Sequence, residues 1–174
     1  MSSIEQQGLS QLEYLEYLLD QAADAEQKNT EEAIKYALEA LELSKKNRFK
    51  KQEARCYVRI GRCHWINGSF NEALNNLSQA LDITDKINES YTKAEALIGI
   101  GNVYLTIELL DQSISHYQNA LEITRNHGYD KLESIVLNNM GNMHEDLKNL
   151  EVALDFYKQS LDKTIDIEDN YGSA

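Results

Sequence analysis

The sequence repeats itself with a period of 40 residues, and this period limits the folds that the chain can adopt. Gly61, Gly101 and Gly141 are 40 residues apart, and similar apolar segments surround them. Small residues and leucines recur in the same register: Ala33, Ala73, Ser113 and Ala153; Ala40, Ala80, Ala120 and Ser160; Leu41, Leu81, Leu121 and Leu161. Self-similarity of this kind is typical of stacked repeats, in which each unit buries its apolar face against its neighbours. The register predicts one elongated array of four copies.

Each copy is expected to be a pair of α-helices, because proline is absent and glycine occurs only 8 times. Helical spacing of leucines predicts a first helix from about Leu9 to near Glu26, but Gln21 stands at the glycine position, so the first copy is degenerate. The repeats are predicted at about residues 9–46, 51–86, 90–126 and 130–167. Residues 1–8 lack periodicity and are expected to be a disordered N-terminus. Residues 170–174 align with 130–134, which predicts the start of a truncated further helix in a longer protein.

Local signals predict where several helices begin and end. Asn29 or Thr30 can cap the second helix. The Asn67-Gly68 pair predicts a tight turn, and Ser69 with Glu72 has the spacing of a capping box. Gly128 can take the left-handed conformation that closes a helix.

Three copies share one order of large, small and aromatic residues, at Tyr57, Gly61, His64, Ala73, Leu77 and Ala80; at Leu97, Gly101, Tyr104, Ser113, Tyr117 and Ala120; and at Leu137, Gly141, His144, Ala153, Tyr157 and Ser160. This order resembles the tetratricopeptide repeat. The resemblance implies an all-α, right-handed superhelical solenoid of antiparallel helix pairs. The period is longer than the usual value of about 34 residues, and the usual proline is missing. Repeats of this length are similar to spindle-orientation adaptors and to peptide-sensing bacterial regulators.

Composition narrows the expected function. The chain has 17 basic and 29 acidic residues and a net charge of -12, which argues against nucleic acids and anionic membranes as partners. It lacks an apolar run of about 18 residues and the features of a signal peptide, so the cytoplasm is the expected location. Cys56 and Cys63 match no zinc pattern, and the usual catalytic motifs are absent. We therefore expect no metal, no cofactor and no enzyme activity, and a packing role for His64 and His144.

A basic segment from Lys45 to Arg62 contains eight basic residues and one acid, Glu53. One interpretation is a site for an acidic peptide, a terminal carboxylate or a phosphate, because arginine binds such groups in a bidentate manner. The other interpretation is internal pairing, because residues 1–42 contain ten acids and only two bases. The sequence leaves both open.

The resemblance implies a concave groove lined by the first helix of each pair. The residues expected to line it are Arg55, Val58, Arg62, Trp65, Glu95, Ile98, Asn102, Asn138 and Asn142. An asparagine amide offers two donors and an acceptor, which suit the backbone of an extended peptide. Hydrogen bonding between adjacent helices is the alternative role for these asparagines.

The expected function is a protein interaction module that binds a peptide or partner segment in the concave groove. The partner is expected to have an acidic or carboxylate end near Arg62. The resemblance also implies the N-terminal sensor or docking region of a larger bacterial signalling protein, for example ahead of a diguanylate cyclase or kinase domain. Two alternatives stay open: a self-association scaffold that forms homo-oligomers through its ends, and a sensor of a small ligand.

Overall fold

A computed structural model describes residues 10–172 of the chain, with side chains as far as Ile165. This part folds into eight α-helices and contains no strand, which confirms the all-α prediction. The helices are α1 (Gln11–Ala25), α2 (Thr30–Asn47), α3 (Lys50–Ile66), α4 (Phe70–Ile87), α5 (Ser90–Thr106), α6 (Leu110–His127), α7 (Asp130–Asp146) and α8 (Leu150–Gly172). Odd-numbered helices are the first helices of the four pairs, and even-numbered helices are the second. The N-terminus that we expected to be disordered, 1–8, lies outside the described residues.

Left-handed backbone residues separate the helices, and they follow the 40-residue register. Arg48, Asn88 and Gly128 end the second helices of the first three pairs, with φ values of 60°, 53° and 66°. Gly68, Glu108 and Lys148 lie in the turns inside the pairs, with φ values of 75°, 61° and 63°. The Gly68 and Gly128 conformations confirm two predicted helix boundaries. At the other four positions, non-glycine residues adopt a conformation that is uncommon for them.

Side-chain caps occur only partly where the sequence predicted them. The Asn29 side chain accepts a hydrogen bond from the Glu32 amide at 3.2 Å and caps α2, as expected. Ser69 makes no side-chain cap bond, so the capping box predicted with Glu72 is wrong. Its φ and ψ of -86° and 69° lie outside the extended region that N-cap residues typically adopt. A reciprocal capping box does form at the start of α1, between Ser10 and Glu13.

The last helix is longer than the fourth repeat was expected to allow. It runs without interruption from Leu150 to Gly172, so the backbone shows no boundary between residues 167 and 170. Glu168 stands where Arg48, Asn88 and Gly128 end the earlier second helices. No glycine or proline occurs between residues 150 and 171, so nothing in the local sequence stops the helix. Residues 173 and 174 lie outside the described part of the chain.

The chain divides into an N-terminal unit, Met1–Thr92, and a C-terminal unit, Lys93–Ala174, and the boundary falls inside α5. In the N-terminal unit, α2 packs against both α1 and α3, and α3 packs against α4. Its main core joins Leu15 and Leu18 of α1 to Ala37 of α2 and to Cys56 and Ile60 of α3. Because Ala37 is small and fully buried, the neighbouring helices can approach closely.

In the C-terminal unit, α7 packs against α6 and α8. Small polar residues join helices here by hydrogen bonds to the backbone. Ser113 Oγ of α6 donates to the Gly101 carbonyl of α5 at 3.0 Å, and Ser160 Oγ of α8 donates to the Ser134 carbonyl of α7 at 2.9 Å. These bonds satisfy the hydroxyl groups that close packing buries.

Candidate functional site

Each repeat glycine makes room for a large side chain of the second helix. A Cβ atom on Gly101 would lie 2.5 Å from Cε1 of Tyr117, and a Cβ atom on Gly141 would lie at the same distance from Cε1 of Tyr157. On Gly61 it would lie 2.7 Å from Cγ of Leu77. These distances are far shorter than a carbon–carbon contact, so the ring or leucine packs directly on the helix backbone. In the first repeat, where glycine is replaced by Gln21, the position of these large residues is occupied by Ala37.

The tyrosines that pack on the glycines also orient the asparagines that follow them. Tyr117 Oη donates to Asn102 Oδ1 at 2.6 Å, and Tyr157 Oη donates to Asn142 Oδ1 at 2.8 Å. Asn139 Nδ2 also donates to Asn102 Oδ1, at 2.9 Å. Both amides therefore use their carbonyl oxygens inside the protein. Their amide nitrogens face away from the tyrosines and carry two donors each.

The exposed residues near these asparagine amides lie on α7. Ile135, Asn138 and Asn142 follow one another at spacings of three and four residues, so they share one face of the helix. All three are exposed, and Ile135 has 40% of its surface accessible. We call these three residues with Asn102 of α5 the amide face. It combines one apolar side chain with three amides inside the C-terminal unit.

The structure places the other predicted groove residues less favourably for contact with a partner. Val58 of α3 and Ile98 of α5 are buried, with 3% and 6% of their surfaces accessible. Trp65 and Glu95 are half-buried. Their role in a groove stays a prediction.

The predicted groove residues Arg55 and Arg62, and Arg59 between them, pair with acids in α1 and at its C-terminal cap. Arg55 Nη1 lies 2.5 Å from Glu16 Oε2, and Arg62 Nη2 lies 2.8 Å from Glu26 Oε1. Arg59 binds the other oxygen of Glu26. Glu26 is buried, and two guanidinium groups compensate for the cost of burying its charge. The internal pairing that the acidic first repeat suggested is therefore present.

Lysines of the basic segment also have local partners. Lys50 Nζ lies 2.6 Å from Glu53, and Lys51 Nζ lies 3.3 Å from Glu89. Lys45 Nζ lies 5.2 Å from the centre of the Tyr57 ring, which is a cation–π distance. Much of the positive charge of this segment is thus neutralised or held within the N-terminal unit.

The two cysteines and His144 lie in packed environments. Burial raises the pKa of Cys56 to about 12 and that of Cys63 to about 11, so both thiols stay protonated near neutral pH. His144 stacks on Phe156 with ring centres 5.4 Å apart, which confirms its packing role between α7 and α8. Among residues 10–172, no group of three or more His, Cys, Asp or Glu side chains is arranged to hold a metal ion.

The repeat pattern does not predict two features of the site. It marks the tyrosines as repeat positions but not as partners of the asparagines, although Gly-Asn and a tyrosine 16 residues after the glycine occur together in the third and fourth copies. In the second copy, Arg62 replaces asparagine and Leu77 replaces tyrosine. That joint change is the signal that could have identified the pair. Glu26 gave no such signal, because its partners lie more than 30 residues away.

The sequence profile of the tetratricopeptide repeat matches residues 18–86 and 92–163. No curated protein matches the sequence. The described residues contain no helix that is both long enough and apolar enough to cross a membrane.

Several solved structures resemble the fold. A Rap protein complexed with competence and sporulation factor aligns with a TM-score of 0.83 and 18% identity, over 92% of this chain and 45% of that chain. The Rap conjugation gene regulator of plasmid pLS20, in complex with a Phr peptide, aligns with a TM-score of 0.76 and 21% identity, over 93% of this chain and 45% of that chain. Aspartyl phosphate phosphatase F from Bacillus subtilis aligns with a TM-score of 0.79 and 13% identity, over 92% of this chain and 43% of that chain. The chain therefore spans less than half the length of these proteins.

Proposed function

Because its repeats match over most of its length, the chain belongs to the tetratricopeptide repeat family, and we propose that it binds an extended peptide segment of a partner protein on the amide face. The observation that carries this proposal is the orientation of Asn102 and Asn142. Tyrosine hydroxyls donate to their carbonyl oxygens, so the N–H donors of each amide are left for other acceptors. Such donors suit the backbone carbonyl groups of a peptide that has no internal hydrogen bonds of its own.

The surroundings of the amides also suit a peptide. Ile135 and Asn138 extend the surface along α7, so an apolar side chain of the peptide can pack beside the amides that hold its backbone. Two of the similar structures are complexes with a peptide or with a named factor. Backbone recognition predicts modest dependence on the peptide sequence, because every residue offers the same backbone carbonyl group whatever its side chain.

The acidic end that the sequence predicts for the partner has weaker support than the amide face. Arg62 keeps 40% of its side chain exposed, but Glu26 already binds it together with Arg59. A carboxylate of the partner would compete with a buried acid of the same charge. The role as a sensor region ahead of a diguanylate cyclase or kinase domain, the cytoplasmic location and the lack of enzyme activity stay predictions.

The proposal can be tested with peptides selected from a displayed library of random unstructured sequences. Asn138→Ala together with Asn142→Ala should weaken binding of a selected peptide by about 10-fold to 100-fold, because about 1 kcal/mol is lost with each hydrogen bond. Asn142 is the better choice than Asn102, since Tyr157 Oη keeps a second acceptor, Glu145 Oε2, at 2.7 Å.

Asn119→Ala is the matched control, because Asn119 is an exposed asparagine on the second helix α6. It should leave peptide affinity unchanged. The proposal fails when the double variant binds as tightly as the parent, or when Asn119→Ala weakens binding equally. Circular dichroism of all variants should match the parent, which separates binding from folding.

A further inference from the structure

The second helix α8 carries an apolar stripe that is exposed in the 174-residue chain. Leu150, Leu154, Leu161 and Ile165 have 62%, 53%, 59% and 46% of their surfaces accessible. Their spacings of four, seven and four residues place them on one face of the helix. We call these four residues the α8 stripe. Four large apolar side chains on one face are more than the single exposed hydrophobic residues that surfaces commonly carry.

Equivalent residues in the first repeat are covered by the next first helix. Leu41 is the counterpart of Leu161, has 7% of its surface accessible, and belongs to a core that includes Cys56 and Ile60 of α3. Ile34, the counterpart of Leu154, packs against a cluster that includes Cys63 of α3. The α8 stripe is therefore the type of surface that this fold normally buries.

One position shows that the α8 stripe differs from the earlier repeat surfaces. Ile165 stands in register with Lys45, Asp85 and Arg125, which are all charged. Arg125 Nε pairs with Glu133 of the following first helix at 3.0 Å. At this position α8 has the apolar side chain of Ile165 instead of a charged one, so it cannot form an ion pair of this kind. The α8 surface therefore suits an apolar partner better than a first helix that offers an acid at this position, as Glu133 does to Arg125.

The α8 stripe is also symmetric along the helix. Leu154 and Leu161 lie at equal distances from a point between Tyr157 and Lys158, and Leu150 and Ile165 are symmetric about the same point. Two copies of α8 that cross antiparallel at this point would bring Leu154 of one copy opposite Leu161 of the other. The outer pair, Leu150 and Ile165, would meet in the same way. An interface with a two-fold axis requires such a self-complementary surface.

We propose that the α8 stripe binds the α8 stripe of a second copy of this chain, in an antiparallel pair of helices. Four side chains from each copy cover less area than the roughly 800 Å² per partner of a stable complex. The dimer should therefore be weak, with a dissociation constant of about 10 µM to 1 mM. None of the four residues of the α8 stripe belongs to the amide face, so pairing and peptide binding can be tested separately.

Sedimentation equilibrium of the 174-residue chain tests the pairing across about 10 µM to 2 mM protein. The average mass should rise toward that of a dimer. Leu154→Glu should weaken association by about 100-fold, because each dimer loses two buried leucines. Leu38→Glu is the matched control, since Leu38 is a leucine of another second helix with similar exposure, 48%. It should leave the association unchanged.

Mixing two variants tests the antiparallel register. Leu154→Glu and Leu161→Lys should each be monomeric alone, because each puts a charge against a leucine. An equimolar mixture should form dimers again, since the new carboxylate then faces the new ammonium group across the axis. Parallel pairing would not bring the two together.

Three results would overturn the proposal. They are a constant monomer mass up to about 2 mM, a dimer that tolerates Leu154→Glu, and a mixture that fails to recover the dimer. A chain segment that covers the α8 stripe instead would produce the first result. Both substituted positions are exposed, so circular dichroism should show folded variants. Peptide binding by Leu154→Glu should equal that of the parent, which distinguishes failure of this pairing from failure of the proposed function.

Discussion

Gly101→Ala is predicted to destabilise the protein, although helix propensity alone predicts the opposite. Alanine is about 1 kcal/mol more favourable than glycine inside a helix. The new Cβ atom, however, would lie 2.5 Å from Cε1 and 2.6 Å from Cδ1 of Tyr117, a residue with no accessible surface. Forcing an extra carbon atom into a packed core costs about 1 to 3 kcal/mol. The expected net loss is about 1 kcal/mol, measured as a lower urea midpoint of unfolding.

Gly141→Ala provides a matched comparison with nearly the same local geometry. Its Cβ atom would meet Tyr157 at the same 2.5 Å and 2.6 Å. Tyr157 is only half-buried, so its ring can move outward and relieve the overlap. Gly141→Ala should therefore cost less than Gly101→Ala. The two sites differ mainly in how far the tyrosine can move.

A double substitution isolates the contact between glycine and tyrosine. In a Tyr157→Ala background, Gly141→Ala should raise stability by up to about 1 kcal/mol, because only the propensity gain remains. Far-UV circular dichroism in urea measures the unfolding midpoints of the parent, the two single variants at Gly141 and Tyr157, and the double variant. A Gly101→Ala midpoint at or above that of the parent would refute the reasoning, as would a larger loss at Gly141 than at Gly101.

Two further predictions follow from burial. Burial raises the pKa values of Cys56 and Cys63 to about 12 and about 11. Iodoacetamide at about pH 8 should therefore alkylate the folded protein at least about 100-fold more slowly than the urea-unfolded protein. Equal rates would contradict the burial of the thiols. Burial lowers the pKa of His116, so its contribution to stability should be lost as the pH falls below about 6.5. His116→Phe preserves the stacking on Tyr104 and should reduce the difference in urea midpoint between about pH 7.5 and pH 5.5; an unchanged difference would show that other groups cause it.

The periodic part of the fold could be predicted because it depends on size. Ala33, Ala40 and Ala73 are fully buried, as the small-residue register predicted. Close helix packing excludes larger side chains at such positions, so the sequence shows the packing directly as alanine or another small residue. The helix pairs and their approximate boundaries follow from the same register.

The helix ends could be predicted only in part, because sequence signals for left-handed residues depend on glycine. Gly68 and Gly128 gave that signal, whereas Arg48, Glu108 and Lys148 adopt the same conformation without it. At these positions the backbone is left-handed although the residue type does not favour that conformation. The local preference of the residue is overridden, so only the 40-residue register could have revealed it.

The contacts of the candidate site depend on residues that are distant in sequence. Asn139 reaches Asn102 across 37 positions, and Arg59 reaches Glu26 across 33. Residue types could suggest that asparagines and arginines bind something, but they could not show that other residues of the chain already use part of that capacity. This is why both the peptide-binding and the internal roles of these residues stayed open in the sequence.

The two units distribute polarity differently, and this difference bears on how a partner is recognised. In the N-terminal unit, the three arginines of α3 pair with Glu16 and Glu26, so most of their positive charge is already compensated within the unit. In the C-terminal unit, Asn102 and Asn142 present uncharged donors that tyrosines hold in place. Recognition by charge would make affinity fall steeply with salt, because exposed charges are screened within about 10 Å at 0.1 M. Recognition by amide donors would leave affinity nearly constant. The salt dependence of a selected peptide therefore separates the acidic-end hypothesis from the amide face, and the contacts on α3 favour a weak dependence.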